Sequence, residues 1–231
     1  MADLNTNWDR RTGVDVVTDH LYEEIISLKL LPGTKISEAE IAARFGVSRQ
    51  PVRDAFTRLA NMDLLVIRPQ KATEIKRFST RSIEKSRFIR AAVEAEVLRR
   101  AAARCDAKDA AALEAALAEQ RAALENCDYD SFASMDYNFH KLLCDISGAD
   151  FAFDVIRAEK SKVDRLCMLG LEKENRMPLL IEDHETIARH VIAGEPEEAV
   201  AAGKLHLSRL DSTIERIREQ NAAYFESDSR R

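Results

Sequence analysis

Apolar residues recur three or four positions apart over most of this chain, and that spacing predicts helices almost throughout. Val17, Leu21, Ile25 and Leu28 place a first helix between Val14 and Leu30, and Leu31-Pro32-Gly33 ends it. Ser37 is an N-cap, with Glu40 three residues on completing a capping box, for a short helix that reaches Phe45. Gly46 lets the chain turn. Ser48 caps another helix to about Asn61, with Pro51 tolerated in its first turn. Val52, Ala55, Phe56 and Leu59 form the inward face of that helix. The period then shortens: Leu65-Val66-Ile67 and Thr73-Glu74-Ile75 read as two strands joined by a turn over Pro69-Gln70-Lys71-Ala72. Helix, helix, turn, helix and hairpin is the order of a winged helix-turn-helix.

Beyond Phe78 no strand pattern interrupts. Ser79 or Thr80 caps a helix over about 81–103, and further helices are predicted over 107–125, 129–146, 150–171, 178–193 and 196–222. Asp106, Asp128, Gly148, Pro178 and Gly194-Glu195-Pro196 punctuate them. Six helices with short connections imply an antiparallel bundle. The expected fold is therefore mostly α, with a winged helix-turn-helix domain over 1–78 and a helical domain over 79–231. Residues 1–12 are polar and expected to fray.

Composition adds an asymmetry. The net charge of −5 speaks weakly against a nucleic-acid partner. Between Lys35 and Arg77, however, nine Lys/Arg face five Asp/Glu, whereas from Ser79 onward 23 face 29. A basic module beside an acidic remainder fits a small DNA-facing domain on a larger one that avoids DNA. No apolar run approaches the roughly 20 residues that span a bilayer, and the start of the chain lacks the apolar core of a signal peptide. Cys105, Cys127, Cys144 and Cys167 show no paired spacing, so free thiols in a reducing cytoplasm are expected.

In the segment ISEAEIAARFGVSRQPVRDAF, Arg49, Gln50 and Arg53 project away from the apolar face near the start of the second helix of the helix-turn-helix. A recognition helix enters the major groove with that end toward the bases. Arg forks pair with guanine edges and Gln pairs with adenine. Ser48 and the helix N-terminus suit a phosphate, and Lys71 in the turn suits the backbone or minor groove. A solvated basic helix with no nucleic-acid role has the same composition. LPGTKISEAEIAARFG followed by VSRQPVRDAF resembles the DNA-binding domain of GntR-family transcription regulators over residues 12–77. The chain departs from that pattern at Asp63, where the family has Gly before the first wing strand, at Ala72 on the wing tip, and at Ala39, where some relatives carry a phosphate-contacting Arg. Asp tolerates the left-handed conformation better than most residues.

Asp136 and His140 lie four apart and share a helix face, while His184 and His206 stand on two later helices, 22 residues apart. Singly, each histidine is as well explained as a surface or hydrogen-bonded core residue. Together, one carboxylate and three imidazoles from three helices suit a divalent ion such as Zn, Ni or Mn. Residues 79–222 resemble the FCD domain, the helical effector domain of the FadR subgroup of GntR regulators, and the resemblance implies those four residues as metal ligands. His190 and His20 fall outside the pattern; Ala149-Asp150 departs from the usual Asn there. Arg90 matches a family position near the effector pocket, although its spacing from Glu94 equally describes a surface ion pair. Arg165 is a second effector-binding candidate.

The resemblance implies a cytoplasmic homodimeric repressor, nucleoid-associated when bound to DNA. It would hold a palindromic operator and release it when a small carboxylate binds at the metal. Three rivals share the residues: a repressor for which the ion itself is the signal, a metal-dependent hydrolase, and a protein in which the ion only ties the helices together. The hydrolase lacks a general base or oxyanion device in the sequence, so no enzymatic activity is expected.

Overall fold

The computed structural model describes residues 12–167 and 173–227. Two compact units are present. One comprises Met1–Phe78 with Ala223–Arg231, the other Ser79–Ala222.

The first unit contains α1 (Gly13–Ile26), β1 (Lys35–Ile36), α2 (Glu38–Phe45), α3 (Arg49–Asn61), β2 (Leu65–Val66) and β3 (Thr73–Ile75). Thr12 caps α1 in a reciprocal capping box with Asp15. Ser37 caps α2 by accepting from the Glu40 amide, and Gly46 closes that helix in the left-handed conformation at φ 65°. Asp63 also stands at positive φ, 64°, as a turn residue before the first wing strand must. The predicted hairpin gains a third strand: β1 pairs antiparallel with β3, giving the order β1-β3-β2. Val17, Leu21, Ile25, Ile41, Val52, Phe56, Leu59, Leu65 and Ile75 form one core between the helices and the sheet. The last segment of the chain closes this unit, because Phe78 donates to Tyr224 and accepts from Glu226.

The second unit is a bundle of α4 (Thr80–Arg104), α5 (Ala107–Glu125), α6 (Tyr129–Ser147), α7 (Ala152–Cys167), α8 (Lys173–Ile192), α9 (Pro196–Ser208) and α10 (Asp211–Gln220). The expectation of six helices is corrected to seven among the described residues, since the stretch over 196–222 breaks after Ser208. A second correction concerns α8. It begins five residues before Pro178, the residue expected to start it. Pro178 lies so near the N-terminus that its missing N–H costs a bond only to Glu174, the second helical residue. Of residues 1–12, expected to fray, Thr12 instead caps α1, and 1–11 lie outside the described residues, as do the predicted helical residues 168–171 and the Cys167 side chain.

Leu98, Ala101, Leu113, Leu117, Phe139, Leu143, Ile156, Ile187, Val191 and Val200 make the bundle core. At Gly203 the helices α4 and α9 approach so closely that a Cβ there would clash with the Leu98 side chain. This approach seats α9, which carries His206, against α4.

Candidate metal centre and nucleic-acid interface

Asp136 and His140 come from α6, His184 from α8 and His206 from α9. One potential ligand atom from each lies within 4.8 Å of all the others. All four residues are buried, and His184 is fully enclosed. Asp136 Oδ1 stands 3.4 Å from His184 Nε2 and 3.9 Å from His140 Nε2. Both of those Nε2 atoms are buried and have no hydrogen-bond partner among the described residues, as has His206 Nδ1. Buried polar atoms without partners are costly in a protein interior. A shared cation accepting the lone pairs of the two Nε2 atoms accounts for both at once, while His206 Nδ1 faces Asp183 Oδ2 at 3.6 Å.

The electrostatics agree with that donor set. Burial opposes the ionisation of Asp136, but the Lys160 ammonium, with His184 and His140, holds its carboxyl well below the usual carboxylate range. Burial pushes the imidazoles of His140 and His184 below their ordinary values. Deprotonated carboxylate and neutral imidazole are the forms that bind metal. His190 stands apart, with Nδ1 2.7 Å from Glu195 Oε2, and His20 packs edge-on against Phe45 in the first unit.

Arg90 is neither free nor on the surface. It is 4% exposed and donates through Nε to Glu94 at 2.8 Å, and Glu94 is also buried. The surface ion pair that the spacing allows is thus a buried one. Arg90 also lines a cavity of about 220 Å³ with Arg87, Val163, Lys204 and Leu207. Arg165 is buried and is not among the residues that line that cavity.

In the first unit, Ser48 caps α3 by position but makes no side-chain capping bond, which leaves its hydroxyl and the helix N-terminus directed outward. Arg49, Gln50, Arg53 and Lys71 are exposed. Gln50 donates to Asp54 at 2.9 Å. Arg53 forms a two-pronged pair with Glu38 of α2, Nε to Oε1 at 3.1 Å and Nη2 to Oε2 at 2.9 Å.

Residues 14–75 match the model for bacterial regulatory proteins of the gntR family, and residues 87–209 match the FCD domain. The chain belongs to the GntR family. It is 34% identical over 205 residues to the HTH-type transcriptional repressor RspR of Escherichia coli K12, covering 89% of this chain and 90% of RspR. An HTH-type transcriptional regulator in an unstable DNA locus of Streptomyces ambofaciens is 30% identical, covering 99% of this chain and 94% of that one. Among solved structures, E. coli McbR/YncC shares the fold with a TM-score of 0.64 at 18% identity, over 89% of this chain and 98% of that one.

As a GntR protein with an FCD domain, the chain is a DNA-binding transcriptional regulator, and its family and relatives are regulators rather than enzymes. No helix among its described residues is long and apolar enough to cross a membrane. Behind the GntR protein's polar cluster, sequence reasoning passed over Gln120, Asp183 and Lys160 and took Glu94 only as the partner of Arg90. Gln120 Oε1 of α5 accepts from His184 Nδ1 at 2.8 Å, Glu94 Oε2 lies 3.4 Å from His140 Nδ1, and Asp183 Oδ2 lies 3.6 Å from His206 Nδ1. Lys160 Nζ stands 3.0 Å from Asp136 Oδ2. Their sequence signal is faint. Gln120 falls one turn after Leu117 on the same stripe as Leu113, so its helical phase alone marks it as inward.

Proposed function

We propose that this protein is a repressor that releases a palindromic operator when a small carboxylate enters its metal-containing helical domain. The observation that carries the reading is the convergence of Asp136, His140, His184 and His206 within 4.8 Å, with buried imidazole nitrogens that no group among the described residues satisfies. The set of three imidazoles and one carboxylate favours Zn or Ni, with Mn a poorer match, over the oxygen-seeking Mg and Ca. A divalent ion held there offers coordination positions to an anionic ligand. Arg90, at the wall of the cavity, adds a fixed cation, and Arg165 is the second candidate contact.

On the DNA side, Arg49, Gln50 and Arg53 are the base-reading set, and Ser48 and Lys71 the backbone contacts. A homodimer presents two recognition helices to the two half-sites of a palindrome. The free thiols Cys105, Cys127 and Cys144 fit a cytoplasmic protein. Release follows from linkage: a ligand with different affinities for the DNA-competent and DNA-incompetent states shifts their balance. A coupling of about 1–3 kcal/mol weakens operator binding roughly 5–150-fold.

The test is operator affinity measured with the protein stripped by chelator, reloaded with Zn²⁺, and reloaded with Zn²⁺ plus each of a panel of small organic acids. Release only in the third arm supports the proposal. Release on metal alone makes the ion itself the signal, and indifference to every arm refutes both.

A further inference from the structure

Three of the four metal-ligand candidates are held from behind by a residue that decides which of their atoms faces the cluster. Gln120 is fully buried on α5 and bonded to His184 Nδ1 at 2.8 Å. With Nδ1 occupied as a donor to the Gln120 carbonyl, the lone pair of His184 lies on Nε2, the atom 3.4 Å from Asp136 Oδ1. Glu94 stands in the same relation to His140. Its Oε2 is 3.4 Å from Nδ1, while its Oε1 is fixed by Arg90, leaving Nε2 toward the cluster. On Asp136 the division is between oxygens: Lys160 Nζ takes Oδ2 at 3.0 Å, and Oδ1 faces the imidazoles. Lys160 is in turn anchored by Asp164, at 2.9 and 3.0 Å, and lies over the Tyr137 ring. Three residues on three other helices thus select one donor atom apiece on His184, His140 and Asp136.

We infer that Gln120, Glu94 and Lys160 are positioning residues of the metal centre, with Gln120 fixing the His184 tautomer and Lys160 confining Asp136 to coordination through a single oxygen. This rests on the metal-binding reading given above. Loss of such an outer partner typically weakens metal affinity about 10–100-fold. Confinement of Asp136 to one oxygen limits the donor set to four protein atoms and favours ions that accept low coordination numbers, such as Zn²⁺ or Co²⁺, over larger oxygen-seeking ones.

The experiment uses the full chain, freed of metal and titrated with Zn²⁺ against a chromophoric chelator, and with Co²⁺ for its visible absorption. Gln120→Met keeps the length of the side chain and removes the acceptor; it is expected to bind Zn²⁺ about 10–100-fold more weakly, with the thermal midpoint of the metal-free protein unchanged. Gln120→Glu can only accept, so it holds the same tautomer and is expected to bind at least as tightly as the parent. In Lys160→Met, the freed Oδ2 joins the ion, and the Co²⁺ absorption falls as the coordination number rises. Equal Zn²⁺ affinity in the parent and Gln120→Met, or an equal loss in Gln120→Met and Gln120→Glu, overturns the assignment while leaving the metal site standing. A parent that binds neither ion overturns the metal site as well.

Discussion

Arg53 of the recognition helix reaches across to Glu38 and meets its carboxylate with two parallel hydrogen bonds, at 2.9 and 3.1 Å. This fork-to-fork geometry fixes the plane of the guanidinium, and it ties α3 to α2 at the edge that would face DNA. The pair is largely solvated, with the arginine side chain 59% exposed, so it contributes little to folding stability. Its consequence is orientation. Glu38→Ala is expected to free Arg53, strengthen binding to random DNA through the lost negative charge, and weaken the operator complex. The ratio of specific to non-specific affinity should fall about tenfold, within the range of one misplaced bidentate contact. Fluorescence anisotropy on operator and scrambled duplexes measures it, and an unchanged ratio removes Glu38 from the interface.

Arg49 differs from Arg53 in having no hydrogen-bonded carboxylate among the described residues to hold it, while its backbone occupies the first helical position after Ser48. It is the side chain of α3 most available to a guanine edge. Arg49→Ala is expected to cost about 1–3 kcal/mol of operator binding. Loss confined to operator and absent on scrambled DNA marks base reading. An equal loss on both marks a phosphate contact, and the salt slope then drops by about one.

The sequence made these exposed helix positions legible because a 3.6-residue period separates an apolar face from its opposite. It served as well for Asp136, His140, His184 and His206, where four titratable residues sit on otherwise apolar helix faces. It failed where structure depends on partners remote along the chain. β1 is only two residues long and has no period of its own; it exists because Lys35 and Ile36 find Glu74 and Thr73 across the sheet. The break after Ser208 carries neither Gly nor Pro. The burial of Arg90 and Glu94 was hidden for the same reason, since an i,i+4 pair looks alike on a wet face and a packed one.

That burial has an energetic consequence. Arg90 and Glu94 side chains are 5% and 7% exposed, so each charge depends on the other for compensation. Arg90→Met leaves Glu94 buried without its guanidinium and is expected to destabilise the protein by about 3–5 kcal/mol. The double change Arg90→Met with Glu94→Leu removes both charges and should recover most of that loss. Urea unfolding of the metal-free proteins reads the difference. A single variant as stable as the parent shows that the pair is solvated rather than buried.

The thiols differ in the same way. Cys144 is fully buried in the bundle core, and burial, with Glu94 and Asp145 nearby, pushes its thiol up to about 12. Cys127 is exposed in the turn after α5. The thiolate is the reactive form, so at pH 8 a thiol-directed reagent should label Cys127 within minutes and leave Cys144 untouched until the protein unfolds. Peptide mapping by mass spectrometry identifies the labelled site. Labelling of Cys144 in the native protein would show that the core around Phe139 and Leu143 opens far more readily than its packing implies.

The strap that closes the first unit offers the last prediction. Phe78 donates its amide to Tyr224 at 2.9 Å and accepts from Glu226 at 2.8 Å, and the rings of Phe78 and Phe225 lie 5.6 Å apart, both almost fully buried. Arg77 adds a hydrogen bond to the Ala223 carbonyl. The strap holds the residue that precedes Ser79, where the chain leaves the winged helix-turn-helix. Phe225→Ala removes one ring from the pair, and at the roughly 1.5–3 kcal/mol of a buried aromatic side chain the local opening at Phe78 becomes about 10- to 150-fold more frequent. Amide hydrogen exchange at Phe78 should accelerate by that factor, while the amides of Leu21 and Phe56, in the core of the same unit, should stay protected. Acceleration shared by all three would mean that the strap supports the whole unit, and no acceleration would mean that Phe225 does not hold it closed.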